Sequence, residues 1–214
     1  MILRPDNHEE WLAARLRGIG GSDAGAVIGA NKYRSNVELW REKTGRLIPE
    51  DISDKPAVKF GKFAEKHLRE LFRLDFPEYG LDYHEFFMYV SDEHPFMFAT
   101  LDGELTDETG RRGILEIKTA TIQNRIQWDD WEDGIPQSYY VQVLHQLAAT
   151  GWDFAILKAY IRYYKDGSPR ASVRHYRIEH SDVEEDIAWL IQQEEAFWEH
   201  VRNDTEPALV LPEI

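Results

Sequence analysis

Residues 101–118 of this 214-residue chain read LDGELTDETGRRGILEIK, and this stretch decides the fold. A polar turn at 106–110 separates two stretches rich in apolar and β-branched residues, which is typical of an antiparallel hairpin. A hairpin symmetric about residue 109 places position 102 opposite position 116, where Cβ atoms lie roughly 5 Å apart. Because side chains alternate along a strand, Glu116 and Lys118 share one face. The spacing therefore predicts that Asp102 faces Glu116, with Lys118 beside it.

Two opposed carboxylates next to a lysine suit the hydrolysis of a phosphodiester. Oxygen ligands hold Mg²⁺, which polarises the phosphoryl oxygen and lowers the pKa of a bound water. Lys118 would orient that water or stabilise the developing charge. The alternative is an exposed hairpin with one ordinary Glu–Lys pair, which a Glu-x-Lys pattern alone would favour. Glu116 lies in an otherwise apolar strand and faces a second acid, so we expect a Mg²⁺-dependent nuclease centre at Asp102, Glu116 and Lys118.

The composition limits where such a centre can act. Hydrophobic residues make up 43% of the chain, enough for the core of one domain over 1–214. No run of about 18 apolar residues occurs and the first residues lack a signal pattern, so we expect a soluble, cytoplasmic protein without a membrane partner. No cysteine is present, so any metal must be held by O and N ligands. The net charge of −14 argues against a passive DNA-binding module, but less against an enzyme that clusters carboxylates around cations.

Hydrophobic periodicity and capping residues predict helices in the first third of the chain and strands after it. Helices are expected over 8–17, from Ser22 as N-cap, from Asn36 as N-cap to Gly45, from Pro56 to Leu74, over 137–150, and from a Ser181/Glu184 capping box to about Val201. Strands are expected over 83–90, 96–101, 113–119, 153–164 and 171–178. This order predicts an α/β (α+β) fold with a central mixed β-sheet flanked by helices.

Glu65 is a candidate third carboxylate. Gly61, Leu68 and Phe72 lie on its stripe of the predicted helix, and this stripe faces inward. A carboxylate there must be paired, protonated or associated with a metal. Without the hairpin, a core-edge pair with a basic neighbour such as Arg69 explains Glu65 equally well.

The predicted helix over 137–150 carries a polar face formed by Gln142, His145 and Gln146. Such a face is usually just solvated. If it instead covers the sheet edge that bears Glu116, Gln142 would hold a water or a phosphate oxygen.

A glycine-rich segment, Gly18-Ile19-Gly20-Gly21-Ser22-Asp23, follows Arg15 and Arg17. Glycines let the backbone approach a ligand, and Ser22 would open a helix whose free N–H groups favour an anion. Arg15 would add a charge-assisted bond to a terminal phosphate. Taken alone, the segment is better explained as a glycine turn with an ordinary serine N-cap, and Asp23 opposes a phosphate unless it points away.

Trp128 and Trp131 lie among acidic residues in the segment 124–136. Exposed tryptophans could stack on bases. The surrounding acids favour loop packing or a subunit contact, so both residues stay unassigned.

Taken together, these residues resemble the phage λ exonuclease family, also called the YqaJ viral recombinase family, within the PD-(D/E)xK nucleases. The matching pieces are Trp11-x-x-x-Arg15-x-x-Gly18-Ile19-Gly20-Gly21-Ser22-Asp23, Phe60-Gly61-x-x-x-Glu65, Leu101-Asp102-Gly103, Leu115-Glu116-Ile117-Lys118 and Gln142-x-x-His145-Gln146. They occur in the family's order over roughly residues 11–150. Each piece alone is weak, whereas the ordered set is fairly specific.

The resemblance implies a restriction-endonuclease-like nuclease core. It implies an exonuclease that degrades one strand of linear duplex DNA from a 5′ end and leaves 3′ single-stranded tails for recombination by strand annealing. It also implies a homotrimer ring, a single-strand annealing protein as partner, and Mg²⁺ as cofactor, with Mn²⁺ as a substitute.

The resemblance assigns three roles by position. Metal ligands would be Asp102, Glu116 and the Ile117 carbonyl; Lys118 would be the catalytic lysine, with Glu65 and Gln142 completing the site; Arg15 and Ser22 would receive the 5′-phosphate. Leu101 stands where the name of the superfamily has proline, at a position that binds no metal.

Two other functions remain open on the residues. A structure-specific or restriction-type endonuclease would use the same metal centre and differ in cutting closed circles. A catalytically silent DNA-end-binding scaffold would have no need to place like charges opposite each other, so the acidic pair argues against it.

Overall fold

A computed structural model describes residues 1–132 and 134–211, whose strands form two mixed sheets flanked by helices. The strands are β1 (Ile2–Leu3), β2 (Ile19–Gly20), β3 (Gly80–Asp82), β4 (Met88–Val90), β5 (Met97–Ala99), β6 (Gly103–Thr106), β7 (Arg112–Thr121), β8 (Phe154–Lys165) and β9 (Ser168–Glu179). The helices are α1 (His8–Arg15), α2 (Gly21–Val27), α3 (Asn36–Lys43), α4 (Pro56–Asp75), α5 (Arg125–Glu132), α6 (Gln137–Thr150) and α7 (Glu184–Arg202). The predicted fold class is confirmed.

The hairpin β6–β7 forms in the predicted register. Gly103 pairs with Leu115 and Thr106 with Arg112, so every pair is symmetric about residue 109. The large sheet has the order β3-β6-β7-β8-β9, in which β8 runs parallel to β7 while the other neighbours are antiparallel. The hairpin therefore supplies two adjacent strands near the middle of this sheet.

A notch interrupts the large sheet beside the second half of β7. β6 begins only at Gly103, whereas β7 continues past Leu115 to Thr121, so the edge of β7 that faces β6 is unpaired over 116–121. We call this gap the notch. It lies just beyond the predicted Asp102–Glu116 position.

Two helices cover the two faces of β7. On one face, Leu68 and Phe72 of α4 pack against Leu115 and Ile117. On the other face, Val143 and Leu147 of α6 share a buried core with three residues of β8, which are Ala155, Leu157 and Ala159. Because apolar residues of β7 face α4, Glu116 and Lys118 face α6.

The short strands form a second sheet, of order β1-β4-β5-β2, which the sequence did not predict. β2 pairs parallel with β5, placing Ile19 beside Met97. A side chain at Gly18 would collide with the Phe96 carbonyl, and one at Gly20 would lie 2.8 Å from the ring of Phe98. These glycines therefore serve the packing of the segment against β5 and do not line an open ligand cradle.

Several predicted boundaries are wrong for local reasons. The strand over 83–90 is interrupted because Phe86 has a positive φ of 64°, and only Met88–Val90 is a strand. The N-cap of α2 is Gly20 and that of α3 is Ser35, so Ser22 and Asn36 lie inside their helices. The capping box at the last helix does not form, since a 3₁₀ turn at His180–Asp182 precedes α7, whose N-cap Val183 has no side-chain cap bond.

The helix α6 matches its predicted bounds and ends at Gly151, which adopts the left-handed conformation with φ 64°. Among the described residues, no helix is long and apolar enough to cross a bilayer.

Candidate functional site

The notch holds the predicted acidic pair. The Ile117 N–H, which would meet β6 if that strand continued, donates to Asp102 Oδ2 at 2.8 Å. The N–H and C=O of one strand residue point to the same side. The Ile117 carbonyl therefore points into the notch beside the Asp102 carboxylate.

Glu116 is held from the α6 side by two amides. Its Oε1 accepts from Gln142 Nε2 at 2.7 Å and its Oε2 from Gln146 Nε2 at 2.6 Å, while the residue is only 2% exposed. Lys118 Nζ lies 2.7 Å from the same Oε1 and donates to Gln142 Oε1 at 2.8 Å. Gln142 thus bridges the carboxylate and the ammonium, which fixes both in one geometry.

Glu65 reaches the site from α4 on the opposite face. Its carboxylate pairs with Arg69 one turn along the helix, so the pairing considered from the sequence does occur. Arg69 also donates from Nε to the Asp102 backbone carbonyl, and its guanidinium stacks over the Tyr83 ring at 3.5 Å. The arginine therefore connects the third carboxylate to the backbone of the first.

Gly61 permits this approach of α4. A Cβ on Gly61 would lie 3.3 Å from Thr119 Oγ1 of β7. The absence of a side chain lets the helix come close to the strand one turn before Glu65.

The three carboxylates repel one another. Burial raises the pKa of Asp102 well above its usual range, and the charges of Glu116 and Glu65 raise it further. Burial also raises the pKa of Glu65; the Arg69 charge opposes this shift, and Glu116 adds to it. Burial tends to lower the pKa of Lys118, but Glu116 and Asp102 outweigh it and raise the pKa, so the ammonium stays charged. The site is short of positive charge.

The donor set fits a Mg²⁺ ion. No group of three or more His, Asp or Glu side chains within 1–132 and 134–211 forms a metal cluster by itself. Mg²⁺ commonly binds through one or two carboxylates and keeps waters or substrate oxygens in its remaining positions. Asp102, Glu116 and the Ile117 carbonyl supply that number of oxygens, and the second oxygen of Asp102 has no hydrogen-bond partner among the described residues.

The structure brings Arg15 and Ser22 together. Arg15 donates from Nη2 to Ser22 Oγ at 2.9 Å, and its guanidinium lies 4.7 Å from the centre of the Trp11 ring. Asp23, which would oppose a phosphate, is buried, and its Oδ1 lies 3.9 Å from Arg15 Nη2. Its Oδ2 accepts from Gly20 N–H and Lys43, while its Oδ1 accepts from Arg34.

The burial of Asp23 is offset by these cations. Burial alone would raise its pKa, but Lys43, Arg34 and Arg15 bring it well below the usual range. The carboxylate therefore serves as a charged anchor for the basic side chains around Ser22.

Gly21 joins the two groups of residues. A Cβ on Gly21 would lie 3.1 Å from Gln142 Cγ and 3.3 Å from Gln146 Cγ. The start of α2, and with it Ser22, therefore packs directly on the two glutamines that hold Glu116.

His145 lies between these two glutamines and points into the core. Its Nδ1 is 2.8 Å from Glu194 Oε1 of α7 and its Nε2 is 2.9 Å from the Phe98 carbonyl, and both side chains are fully buried. Because a carboxylate and a carbonyl only accept, both ring nitrogens donate and the ring is an imidazolium.

A protein-family model matches two thirds of the chain. The model of the YqaJ-like viral recombinase domain matches residues 10–153, the range that contains all the predicted site residues. The chain belongs to the YqaJ-like viral recombinase family. The family resemblance inferred from the ordered motifs is confirmed.

A relative is similar to the chain in sequence, and solved structures are similar to it in fold. The chain is 31% identical over 207 residues to the uncharacterized protein YqaJ of Bacillus subtilis (strain 168), covering 95% of this chain and 59% of that protein. It thus spans about three-fifths of that relative. The alkaline exonuclease LHK-Exo from Laribacter hongkongensis matches with a TM-score of 0.69, 22% identity and coverage of 92% of this chain and 94% of that chain. The complex of LHK-Exo with dAMP matches with a TM-score of 0.66 and 23% identity over the same shares. The chain therefore has an alkaline-exonuclease fold.

Sequence reasoning on this family member missed the roles of three residues. Gln146 lies four positions after Gln142, so helical spacing could have placed both amides on Glu116. Arg69 was considered only as a partner of Glu65, and its contact with Asp102 needs the fold. Glu194 gave no sequence signal, because it lies in a predicted amphipathic helix far along the chain.

The two tryptophans differ in their environment. Trp131 is 3% exposed and packs on Tyr139, with ring centres 5.7 Å apart. Trp128 is half-buried and meets the Tyr163 ring edge-on at 5.0 Å. Both tryptophans pack α5 against the large sheet.

Proposed function

We propose that this chain is a Mg²⁺-dependent 5′→3′ exodeoxyribonuclease that degrades one strand of linear duplex DNA. The observation that carries the proposal is the contact of Gly21 with Gln142 and Gln146, which puts the Arg15–Ser22 pair next to the acidic notch. One group is suited to a terminal phosphate and the other to a divalent cation. Family membership supports the proposal, as does the fold shared with an exonuclease that binds dAMP.

Asp102, Glu116 and the Ile117 carbonyl would hold the metal. When bound, Mg²⁺ supplies electrostatic stabilisation of the phosphoryl oxygens and lowers the pKa of a bound water, and Mn²⁺ would substitute for it. The deficit of positive charge among Asp102, Glu116 and Glu65 favours cation binding at this point.

The remaining side chains of the site would orient the attacking water and stabilise charge on the phosphate. Lys118 keeps its proton because of the neighbouring carboxylates, so its ammonium would stabilise negative charge that develops on the phosphate. Gln142 holds that ammonium and Glu116 in register. Glu65, anchored by Arg69, would accept a hydrogen bond from the attacking water and orient it.

Arg15 and Ser22 would receive the 5′-phosphate. The guanidinium is already held over Trp11 and against the serine hydroxyl, so little side-chain freedom would be lost on binding. A phosphate fixed there sets how far the strand extends into the notch.

The proposal includes a role for the product, a partner protein and an oligomeric state. The 3′ single-stranded tails would serve recombination by strand annealing, in the cytoplasm, with an annealing protein as partner. A homotrimer ring around DNA would concentrate basic side chains on its inner wall and so offset the net charge of −14.

The first experiment tests the metal centre on linear duplex DNA with Mg²⁺. Glu116→Gln and Lys118→Ala should each abolish digestion while circular dichroism and thermal unfolding show a retained fold. Glu108→Gln, in the exposed turn of the same hairpin, is the matched control and should digest like the wild type. Digestion at the wild-type rate by Glu116→Gln would show that the centre is misplaced.

The second experiment tests the end-binding residues. Arg15→Ala should reduce the preference for 5′-phosphorylated over unphosphorylated ends, whereas Arg17→Ala, two residues away and exposed, should keep it. An unchanged preference in Arg15→Ala would exclude the phosphate site. Prompt cutting of a closed circle by the wild type would instead favour an endonuclease.

A further inference from the structure

The ammonium of Lys118 lies against an aromatic ring to which the proposed function gives no role. Its Nζ is over the ring of Tyr139 at 5.2 Å from the ring centre, close enough for a cation–π interaction. Tyr139 belongs to the first turn of α6, three positions before Gln142, so these two side chains are neighbours on the helix surface. The lysine is therefore bounded by Glu116, Gln142 and this ring.

The ammonium keeps one donor for a substrate. An ammonium group has three N–H donors. The Nζ of Lys118 lies 2.7 Å from Glu116 Oε1 and 2.8 Å from Gln142 Oε1, so these two oxygens can occupy two donors. The face of the Tyr139 ring attracts the charge without an acceptor atom. One donor therefore remains for a phosphate oxygen.

An uncharged support for Lys118 suits this site. A lysine has a flexible four-carbon stem, so its ammonium needs partners to stay in one place. Glu116 is also a proposed metal ligand, and its charge would be shared between the cation and the lysine. The hold of Gln142 and Tyr139 on the ammonium does not depend on that sharing. The side chain of Lys118 is only 19% exposed, which strengthens the attraction of the ring.

Trp131 of α5 supports the ring of Tyr139. The two ring centres are 5.7 Å apart, and Trp131 is 3% exposed. Trp131 also stacks on Tyr176 of β9 at 6.2 Å, and its carbonyl accepts a hydrogen bond from Arg174. These contacts tie α5 to β9, so the tryptophan leaves Tyr139 little freedom to move away from Lys118.

We propose that Tyr139 is a positioning residue for Lys118, whose ammonium it holds beside Glu116 and Gln142 through a cation–π interaction, with Trp131 as the support of its ring. This inference rests on the proposed nuclease function, in which Lys118 stabilises charge on the phosphate. It gives Trp131 a role inside the protein and not in stacking on bases. If Tyr139 only filled space in the core, leucine would serve in its place.

The kinetics of digestion of linear duplex DNA with Mg²⁺ test this role. Tyr139→Leu should reduce kcat by about 3- to 30-fold, the factor for loss of one partly desolvated cation–π interaction. KM should stay near the wild-type value, because the ring acts on the lysine and not on the DNA. Tyr139→Phe keeps the ring and should digest like the wild type.

Tyr140→Leu is the matched control on the same helix. The Tyr140 hydroxyl donates to Asp186 of α7 at 2.6 Å, so this variant also loses an aromatic ring from α6 but not from Lys118. Its kcat should equal that of the wild type. All variants are assayed below the unfolding temperature that circular dichroism gives for each.

A double-mutant cycle tests the support by Trp131. Trp131→Leu should reduce kcat by a smaller factor than Tyr139→Leu. Because Trp131 acts through the ring, the variant with both changes should be no slower than Tyr139→Leu alone. Independent, multiplying effects of the two changes would overturn the part assigned to Trp131.

NMR of the metal-free protein gives a readout that does not depend on activity. The ε-methylene protons of Lys118, identified by their absence in Lys118→Ala, should be shifted upfield by the ring in the wild type and in Tyr139→Phe, and not in Tyr139→Leu. Equal kcat in the phenylalanine and leucine variants, or no upfield shift in the wild type, would overturn the proposal. Failure of the wild type to digest linear duplex with Mg²⁺, with the upfield shift present, would instead refute the proposed function, so the two failures are distinguishable.

Discussion

Replacing His145 by alanine should destabilise the fold strongly, because it leaves the buried Glu194 carboxylate without its cation. Both side chains are fully buried, and the pair links α6 to α7 and to the Phe98 carbonyl. Removing one partner of a buried ion pair costs about 3–5 kcal/mol of unfolding free energy. We expect a loss in this range for His145→Ala.

The variant Glu194→Gln should be much milder. A neutral imidazole can still donate from Nε2 to the Phe98 carbonyl and accept at Nδ1 from the glutamine amide. Both ring nitrogens of His145 then keep a partner, and the expected loss is below about 1.5 kcal/mol. The contrast between the two variants separates loss of a charge from loss of the hydrogen bonds.

The pair also predicts a dependence of stability on pH. Burial tends to lower the pKa of His145, but Glu194 outweighs it and the Phe98 carbonyl adds to the rise, so the folded pKa lies above the ordinary 6.5. A group whose pKa is raised by folding contributes its full stability below the unfolded pKa. That contribution is lost as the pH rises through the folded pKa. The wild type should therefore lose stability relative to Glu194→Gln as the pH increases above about 6.5.

Urea unfolding of the three proteins between pH 6 and pH 9 measures both effects. A loss under 1 kcal/mol for His145→Ala would refute the assignment of an ion pair. So would a constant difference between wild type and Glu194→Gln across this pH range.

Three further predictions concern a glycine, an arginine and the metal. Gly18→Ala should lower the free energy of unfolding by about 1–3 kcal/mol, since its Cβ would meet the Phe96 carbonyl; Gly25→Ala, whose Cβ meets only ordinary contacts, should be neutral or stabilising in the same urea titration. Arg69→Ala should reduce kcat by about 10- to 100-fold, the usual effect of losing a residue that orients metal ligands, and its control Arg73→Ala should not. Treatment with EDTA should abolish digestion, and Mg²⁺ or Mn²⁺, but not a monovalent salt, should restore it.

The parts of the fold that the sequence predicts are those set by local rules. The β6–β7 register follows from the position of the turn, and α6 follows from Pro136 before it and Gly151 after it. The predicted strand over 83–90 fails because Phe86 takes a conformation that side chains rarely adopt, which no propensity indicates. The N-terminus of α2 is set by Asp23, whose side chain accepts the Gly20 N–H from inside the helix.

In the site, too, some residues are predictable from local sequence rules and others are not. Asp102, Glu116 and Lys118 are close in the sequence and share one hairpin, so strand geometry brings them together. Gln146 and Arg69 reach the carboxylates only through the packing of α6 and α4 on opposite faces of β7. Contacts of this kind depend on tertiary structure, and a single sequence does not reveal them.

The packing of Gly21 on Gln142 and Gln146 has a thermodynamic consequence. If occupation of Ser22 by a phosphate moves the start of α2, the amides that hold Glu116 move with it, and the affinity for the cation changes. Linkage then requires that the cation change the affinity for the DNA end by the same factor. Titration of either ligand in the presence and absence of the other would measure this single coupling free energy and its sign.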